Sequence, residues 1–279
     1  METVNLSELR VGVVGFGNMA SAMVKGWLAS AALLPGQIHV SAAHYEPLVA
    51  RAKALGVHPW RTSREVVAAS DWIVLAVKPH LFERVIAELG SSLVGKRVVS
   101  VAVGMHFAEL KAMLPERARH VSVMPNTPVA VGEGVILTEA TPTEMQGDSG
   151  AFTEADWTVF QALMAPLGRV VIVPPEKMAA AGIISGCGPA WAAMVIEALG
   201  DAAVKHGIAR AQAYELASQM LMGTAALQLA TREHPGVMKD AVTSPGGTTI
   251  VGVAALERAG LRSAMIEAVD AVVERIRRA

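Results

Sequence analysis

The chain is poor in cysteine, aromatic residues and charge. Cys187 is the single cysteine among 279 residues, so neither an intrachain disulfide nor a multi-cysteine metal cluster can form, and no metal site is expected. Phe, Trp and Tyr together make up 4%, too few for the stacking platforms that bind single-stranded nucleic acid. Charged residues are 18% and the formal net charge is −1, which leaves no broad electrostatic footprint for nucleic acid or anionic lipid. The opening METVNLSELR carries two Glu and lacks a basic n-region, so no signal peptide is read and the cytoplasm is the expected compartment.

What is present is apolar. Hydrophobic residues reach 52%, which supports a sizeable core and excludes disorder as the main state. The length exceeds the usual single domain and suggests two domains or one large α/β unit. The uncharged stretch Ala179–Ile196 is just long enough to cross a bilayer. It also contains three Gly and one Pro, and Glu197 and Asp201 follow it. It is therefore read as a helix buried between subunits, with no membrane partner.

Up to residue 174 short apolar runs alternate with helical patterns. Strands are read at Arg10–Gly15, Ile38–Ala42, Trp72–Val77, Arg97–Val103, His120–Met124 and Val170–Val173, and helices at Met19–Ser30, Pro47–Leu55 and Glu154–Leu167. Alternation of this kind predicts βαβ units and a parallel sheet. Thr138–Thr153 is polar and reads as a surface loop. After Pro174-Pro175 only helices are read: Pro189–His206, Ala211–Thr231, Thr249–Arg258 and Ser263–Arg278. The expected architecture is an α/β Rossmann-type domain over 1–174 followed by an all-α domain over 175–279.

Gly15-Phe16-Gly17-Asn18-Met19-Ala20 fits G-x-G-x-x-A at the end of a strand and the start of a helix, the context a dinucleotide site requires. Gly15 permits the tight turn, Gly17 lets the backbone approach a pyrophosphate, and Ala20 is small enough for helix–strand packing. The second strand ends in Ser41 and His44 with no Asp or Glu, the nearest acid being Glu46. An NAD-preferring fold usually has an acid there, so NADPH is favoured, with NADH as the lesser alternative. Ser41 and His44 suit a 2′-phosphate, with Arg51 in reach.

Two further motifs fall at carboxyl ends of strands, where open α/β sheets bind ligands. Val77-Lys78-Pro79 follows one strand and Asn126, between prolines, follows another. Ser185–Ala190 leads into a helix; Cys187 there has no identifiable partner base, and close backbone packing explains its glycines more simply. Ser244-Pro245-Gly246-Gly247-Thr248-Thr249 makes a turn before a helix. Either Thr caps that helix, or free amides and hydroxyls form a site for a small carboxylate.

With these segments read, the chain resembles pyrroline-5-carboxylate reductase along essentially its whole length. The carriers are VGVVGFGNMASAM at 11–23, AVKPH at 76–80, MPNTPVAVGEGV at 124–135, SGCGPAW at 185–191 and HPGVMKDAVTSPGGTTI at 234–250 followed by LERAGLR at 256–262. The resemblance implies a Rossmann domain, an all-α dimerisation domain and NAD(P)H-dependent reduction of a cyclic imine to L-proline, the last step of proline biosynthesis. It also implies a homodimer, with further assembly into decamers, and an active site between one subunit's nucleotide domain and helices of the dimer. Carried over, the hydride donor lies along Gly15–Ala20, Ser41, Val77–Pro79 and Ala102-Val103-Gly104. The substrate lies against Ser244, Gly247, Thr248 and Thr249, with the Thr249 hydroxyl facing the ring nitrogen.

Three departures from the family's usual pattern bear on substrate preference. Cys187 stands where a second Ser is usual and Trp191 where Tyr is usual. Pro175 stands where an acid is usual, with Glu176 one residue late, and Ala241 stands where some relatives carry Asn. Two other readings are a related cyclic-imine reductase with a different substrate and a non-catalytic regulatory paralogue. A β-hydroxyacid reductase is disfavoured because 174–200 lacks its G-x-x-x-N-x-x-K helix.

Overall fold

The computed structural model describes residues 4–139 and 147–278. It divides into two compact units, Met1–Gly186 and Cys187–Ala279.

The first unit is built on an eight-stranded sheet. In chain order it runs β1 Val11–Val14, α1 Asn18–Ala29, β2 Ile38–Ser41, α2 Tyr45–Leu55, β3 His58–Pro59, α3 Ser63–Ala68, β4 Trp72–Leu75, α4 Phe82–Leu89, β5 Arg97–Ser100, α5 Phe107–Met113, β6 Arg119–Pro125, β7 Gly134–Thr138, α6 Glu154–Met164, β8 Gly168–Ile172 and α7 Met178–Gly182. The strand order is β3-β2-β1-β4-β5-β6-β7-β8, and every pair is parallel except β6–β7. The order reverses between β1 and β4, which is where a doubly wound sheet opens a crevice for a ligand. This is the Rossmann-type arrangement the alternating pattern predicts.

Each central strand is buried on both faces, as continuous Val/Ile/Leu runs require. Along β4 the side chains alternate: Trp72 and Val74 join the core cluster that includes α1 and α6, whereas Ile73 and Leu75 join the one formed with α3 and α4. Trp27 of α1 is fully buried and its Nε1–H donates to the Leu163 carbonyl at 2.7 Å. The helix α1 also passes very close to the turn 127–131. A Cβ on Gly26 would stand 2.1 Å from the Val129 carbonyl oxygen, so no larger residue fits there.

Of the Thr138–Thr153 segment, 140–146 lie outside the described residues. The described end is no plain surface loop: Ala151 and Phe152 are buried, and the His120 amide donates to the Gly150 carbonyl at 2.8 Å. Strand β7, within 124–138, is an addition to the sequence reading.

Among its described residues the second unit's only regular elements are helices joined by short turns. It contains α8 Gly188–Lys205, α9 Arg210–Thr231, α10 Pro235–Ala241, α11 Thr248–Arg258 and α12 Leu261–Arg277. A π turn, Ile183–Cys187, precedes α8. Helices α8 and α9 pack through small residues, with the Tyr214 ring against Gly200 and with Ala213 and Ala217 buried. Met194, Leu216, Met220, Val251, Leu256 and Ile266 are among many large apolar side chains left exposed. A single soluble chain rarely shows this much apolar surface, so the helices need a further partner. By length and composition the run Pro175–Lys205 would also suffice to cross a membrane. Exposed apolar side chains occur on α9, α11 and α12 as well, where polar residues such as Gln219, Glu257 and Glu274 interrupt any membrane-crossing run.

Candidate active site

The carboxyl ends of β1, β2 and β4 are tied together by backbone hydrogen bonds. The Gly15 amide donates to the Ser41 carbonyl at 3.0 Å, and the Ala76 amide donates to the Val14 carbonyl at 2.8 Å. Gly15 has φ +91, and a Cβ there would stand 2.7 Å from the Ala76 oxygen. The turn therefore demands glycine on both conformational and steric grounds.

Gly17 is the N-cap of α1 in extended conformation, with no side chain capping the helix. A Cβ on Gly17 would meet nothing within 4 Å, so the space above the helix start is open. The Ser21 amide makes the first intrahelical bond, to Gly17, which leaves the amides of Asn18, Met19 and Ala20 without helical acceptors. Open space, three free amides and the positive end of a helix dipole fit a pyrophosphate. Phe16 and Ala20 are buried and offer a ligand their backbone alone. Asn18 is exposed and Met19 half-buried.

At the end of β2 the buried Ser41 places its Oγ 3.2 Å from Ser63 Oγ. At the end of β4, Val77 is half-buried while Lys78 and Pro79 are exposed. After β5, Ala102 is buried, whereas Val103 and Gly104 are exposed. These loops all leave the carboxyl side of the parallel strands, flanking the crevice at the order reversal.

Asn126 sits apart from this set in what its side chain does. It is 7% exposed; its Nδ2 donates to the Ser185 carbonyl at 2.9 Å, and its Oδ1 accepts from the Val135 amide at 2.8 Å. Both ends of the amide thus bracket the 127–131 turn to the π turn and to β7. A buried group paired at both ends holds the fold.

Several functional candidates escaped the sequence reading. Arg61 lies in the short link between β3 and α3, with its Cζ 4.3 Å from the Tyr45 ring centroid. Ser63 was not singled out either. His106 Nδ1 lies 2.7 Å from Glu139 Oε1 at the start of α5, and the Phe107 amide donates to Glu139 Oε2. Nothing in the spacing signals that last pair, because its members come from separate loops.

Two buried histidines have lowered pKa values. Burial pushes the pKa of His39 down, aided by neighbouring His58 and Arg10. Burial also lowers that of His120, against weaker opposing hydrogen bonds to Phe107 and Ala118 and the charge of Asp148. His120 stacks on Phe107 with ring centroids 4.2 Å apart.

In the second unit the Pro245–Thr249 turn is defined by Gly246 at φ +68 and by the Gly247 amide donating to the Ser244 carbonyl at 3.0 Å. Gly247, not a threonine, is the N-cap of α11. Thr248 and Thr249 are the first two helical residues, both exposed. Among the described residues neither hydroxyl makes a hydrogen bond, and no side chain caps the helix. Capping therefore does not explain the threonine pair, and the amides at this helix start remain free. Ser244 is exposed beside them. Cys187, in the π turn, is a half-buried free thiol.

The comparisons with known proteins agree with this layout. The family pattern for pyrroline-5-carboxylate reductase dimerisation matches residues 175–279, and that for NADP oxidoreductase, coenzyme F420-dependent, matches 10–104. A pyrroline-5-carboxylate reductase of Treponema pallidum is 40% identical over 269 residues, covering 95% of this chain and 99% of its own. The Escherichia coli enzyme of that name is 37% identical over 269 residues, covering 96% and 97%. Among solved structures, the Plasmodium falciparum pyrroline carboxylate reductase with NADP bound superposes with a TM-score of 0.82 at 26% identity, covering 97% of this chain and 98% of that one. The Coxiella burnetii pyrroline-5-carboxylate reductase gives 0.81 at 31% identity, covering 98% of each.

Proposed function

The chain belongs to the pyrroline-5-carboxylate reductase family, and from that premise we infer how its own residues divide the work of reducing 1-pyrroline-5-carboxylate to L-proline with NAD(P)H. The reaction adds a hydride to the imine carbon and leaves a protonated ring nitrogen as the secondary amine. When bound, the nicotinamide supplies that hydride. An imine already protonated at nitrogen is electrophilic, so the protein's task is chiefly to bind, orient and exclude water.

The first unit carries the nucleotide half. The free amides of Asn18, Met19 and Ala20 would hold the pyrophosphate over Gly17, and Ser41 would meet the adenosine ribose. Val77-Lys78-Pro79 and Ala102-Val103-Gly104 would bound the nicotinamide. Asn126 acts through the turn it braces. The absence of a carboxylate after β2 supports a preference for NADPH over NADH.

The second unit carries the substrate half. Backbone amides at Gly247, Thr248 and Thr249, with Ser244, would receive the carboxylate, and Thr249 Oγ would hydrogen-bond the ring nitrogen. The observation that carries this reading is the unspent hydroxyl pair at an uncapped helix start. Retention of this turn also supports an active enzyme over a regulatory paralogue. Cys187, Trp191, Pro175 and Ala241 are the positions most apt to tune substrate preference. The exposed apolar helices of 175–279 support a homodimer; assembly of dimers into a decamer and a place in the cytoplasm are supported only by the resemblance and by the absence of a basic n-region in METVNLSELR. The near-neutral charge supports the absence of nucleic-acid and membrane partners. Titrating the purified protein with L-proline and with NADPH separately tests the division. A Ser244→Ala, Thr249→Ala double variant should lose proline binding and keep NADPH binding; loss of both together would refute it.

A further inference from the structure

Resting on the NADPH reading above, we propose that Arg61, held on the face of Tyr45, is the residue that recognises the 2′-phosphate of the cofactor. The sequence pointed to Ser41 and His44 for this role, with Arg51 in reach. Three arginines lie in the α2–α3 segment that follows β2, Arg51, Arg61 and Arg64, and their surroundings separate them. Arg64 is spent: its Nε and Nη2 both donate to the Glu88 carbonyl, at 2.9 and 2.6 Å. Arg51 extends from α2 to lie over the Phe16 ring, 5.4 Å from its centroid, beside the glycine loop. Arg61 alone comes from the loop that faces Ser41.

The register of the sheet places it there. Val40 pairs with Pro59, and the Trp60 amide donates to the Val40 carbonyl at 2.9 Å. Residues 61–63 therefore leave β3 level with the end of β2. Ser63, the first residue of α3 and two positions after Arg61, places its Oγ 3.2 Å from Ser41 Oγ at the end of β2. Tyr45 is the first residue of α2, and the Arg61 Cζ lies over its ring, 4.3 Å from the centroid, in a cation–π contact. A contact of this kind consumes none of the guanidinium N–H donors as hydrogen bonds. Among the described residues those groups make no hydrogen bond or ion pair. The nearby Glu65 feels the Arg61 charge only as the least of the influences on it. Its carboxylate is engaged elsewhere, accepting from the Thr62 amide and hydroxyl, both at 2.8 Å. A planar fork with unspent donors, two residues before the Ser63 hydroxyl and paired to no acid, matches a phosphate monoester.

The test is equilibrium binding of two fragments that differ by the 2′-phosphate alone, adenosine 2′,5′-bisphosphate and adenosine 5′-monophosphate. Titration calorimetry would be run on the wild type and on Arg61→Ala, Arg61→Lys and Arg51→Ala. Losing charge-assisted hydrogen bonds predicts roughly a 10- to 150-fold weaker affinity of Arg61→Ala for the bisphosphate. The monophosphate affinity should change by no more than about twofold, since it lacks the contacted group. Arg61→Lys should recover part of the loss, and Arg51→Ala should leave the ratio of the two affinities unchanged. An Arg61→Ala variant that weakens both ligands alike would overturn the proposal, as would a selective loss in Arg51→Ala. A wild type that binds both fragments equally would sink the NADPH reading and this proposal together.

Discussion

Replacing Thr249 with alanine separates a reacting contact from a structural one. The hydroxyl is exposed, makes no hydrogen bond among the described residues, and sits second in α11 behind a glycine N-cap. Removal of a true N-cap would cost about 1 kcal/mol, but no cap is lost here. Alanine also has the higher helix propensity, so stability should hold or rise by a few tenths, on the order of 0.5 kcal/mol. If the hydroxyl contacts the charged ring nitrogen, its loss removes about 1.5–3 kcal/mol from the transition state. That is roughly a 10- to 150-fold fall in kcat/KM. NADPH affinity should not change, because the Gly15–Ala20 loop is untouched. Thermal unfolding, NADPH titration and steady-state kinetics on the one purified variant give the three readouts. A lowered Tm with kcat/KM intact would show that the hydroxyl serves the helix and not the reaction.

Asn126→Ala should cost about 3 kcal/mol, because it strands the buried Ser185 carbonyl and Val135 amide; urea unfolding measures this, and unchanged stability with lost NADPH affinity would make Asn126 a ligand contact instead. Stability should decline on acidification below the ordinary histidine pKa of 6.5. The folded-state pKa values of His39 and His120 are depressed, so the unfolded chain binds more protons in that range and stability is full only above it. His39→Gln should flatten the pH dependence of the unfolding midpoint, and an unaltered slope would refute the assignment. Light scattering should show a dimer or a multiple of it at every accessible concentration, as the exposed apolar helices of 175–279 require; a stable, active monomer of 29.2 kDa would rule this out.

Much of the architecture was legible where pattern and physics coincide. The strands at β1, β2, β4 and β5 are apolar runs bounded by turn residues, and the glycine loop stands where a strand must give way to a helix. Strand β3 was not legible because it is two residues, His58-Pro59, with no apolar run; its existence depends on pairing with β2. Strand β7 was hidden in a Gly- and Pro-rich stretch whose turn signals outweighed GVILT. Helix α10 was missed because Pro235 reads as a stop, whereas it stands in the first turn behind His234, whose Nδ1 accepts from the Gly236 amide. The turn at 244–249 was located from its residues, yet which residue caps the helix was not, since Gly and Thr are both acceptable there. Arg61 and Ser63 became candidates once the β2–β3 register placed their loop beside Ser41. Asn126 was singled out for its place after a strand and between prolines, while its two partners, the Ser185 carbonyl and the Val135 amide, lie 59 and 9 residues further along the chain.

Turnover of 1-pyrroline-5-carboxylate by the purified protein bears on all of this at once. Oxidation of NADPH is followed with and without the imine, and L-proline is quantified in the same reaction. The expected result is imine-dependent oxidation with one proline formed for each NADPH consumed, faster with NADPH than with NADH. NADPH oxidation that does not depend on the imine, or that yields no proline, would overturn the assignment of the two units to cofactor and substrate.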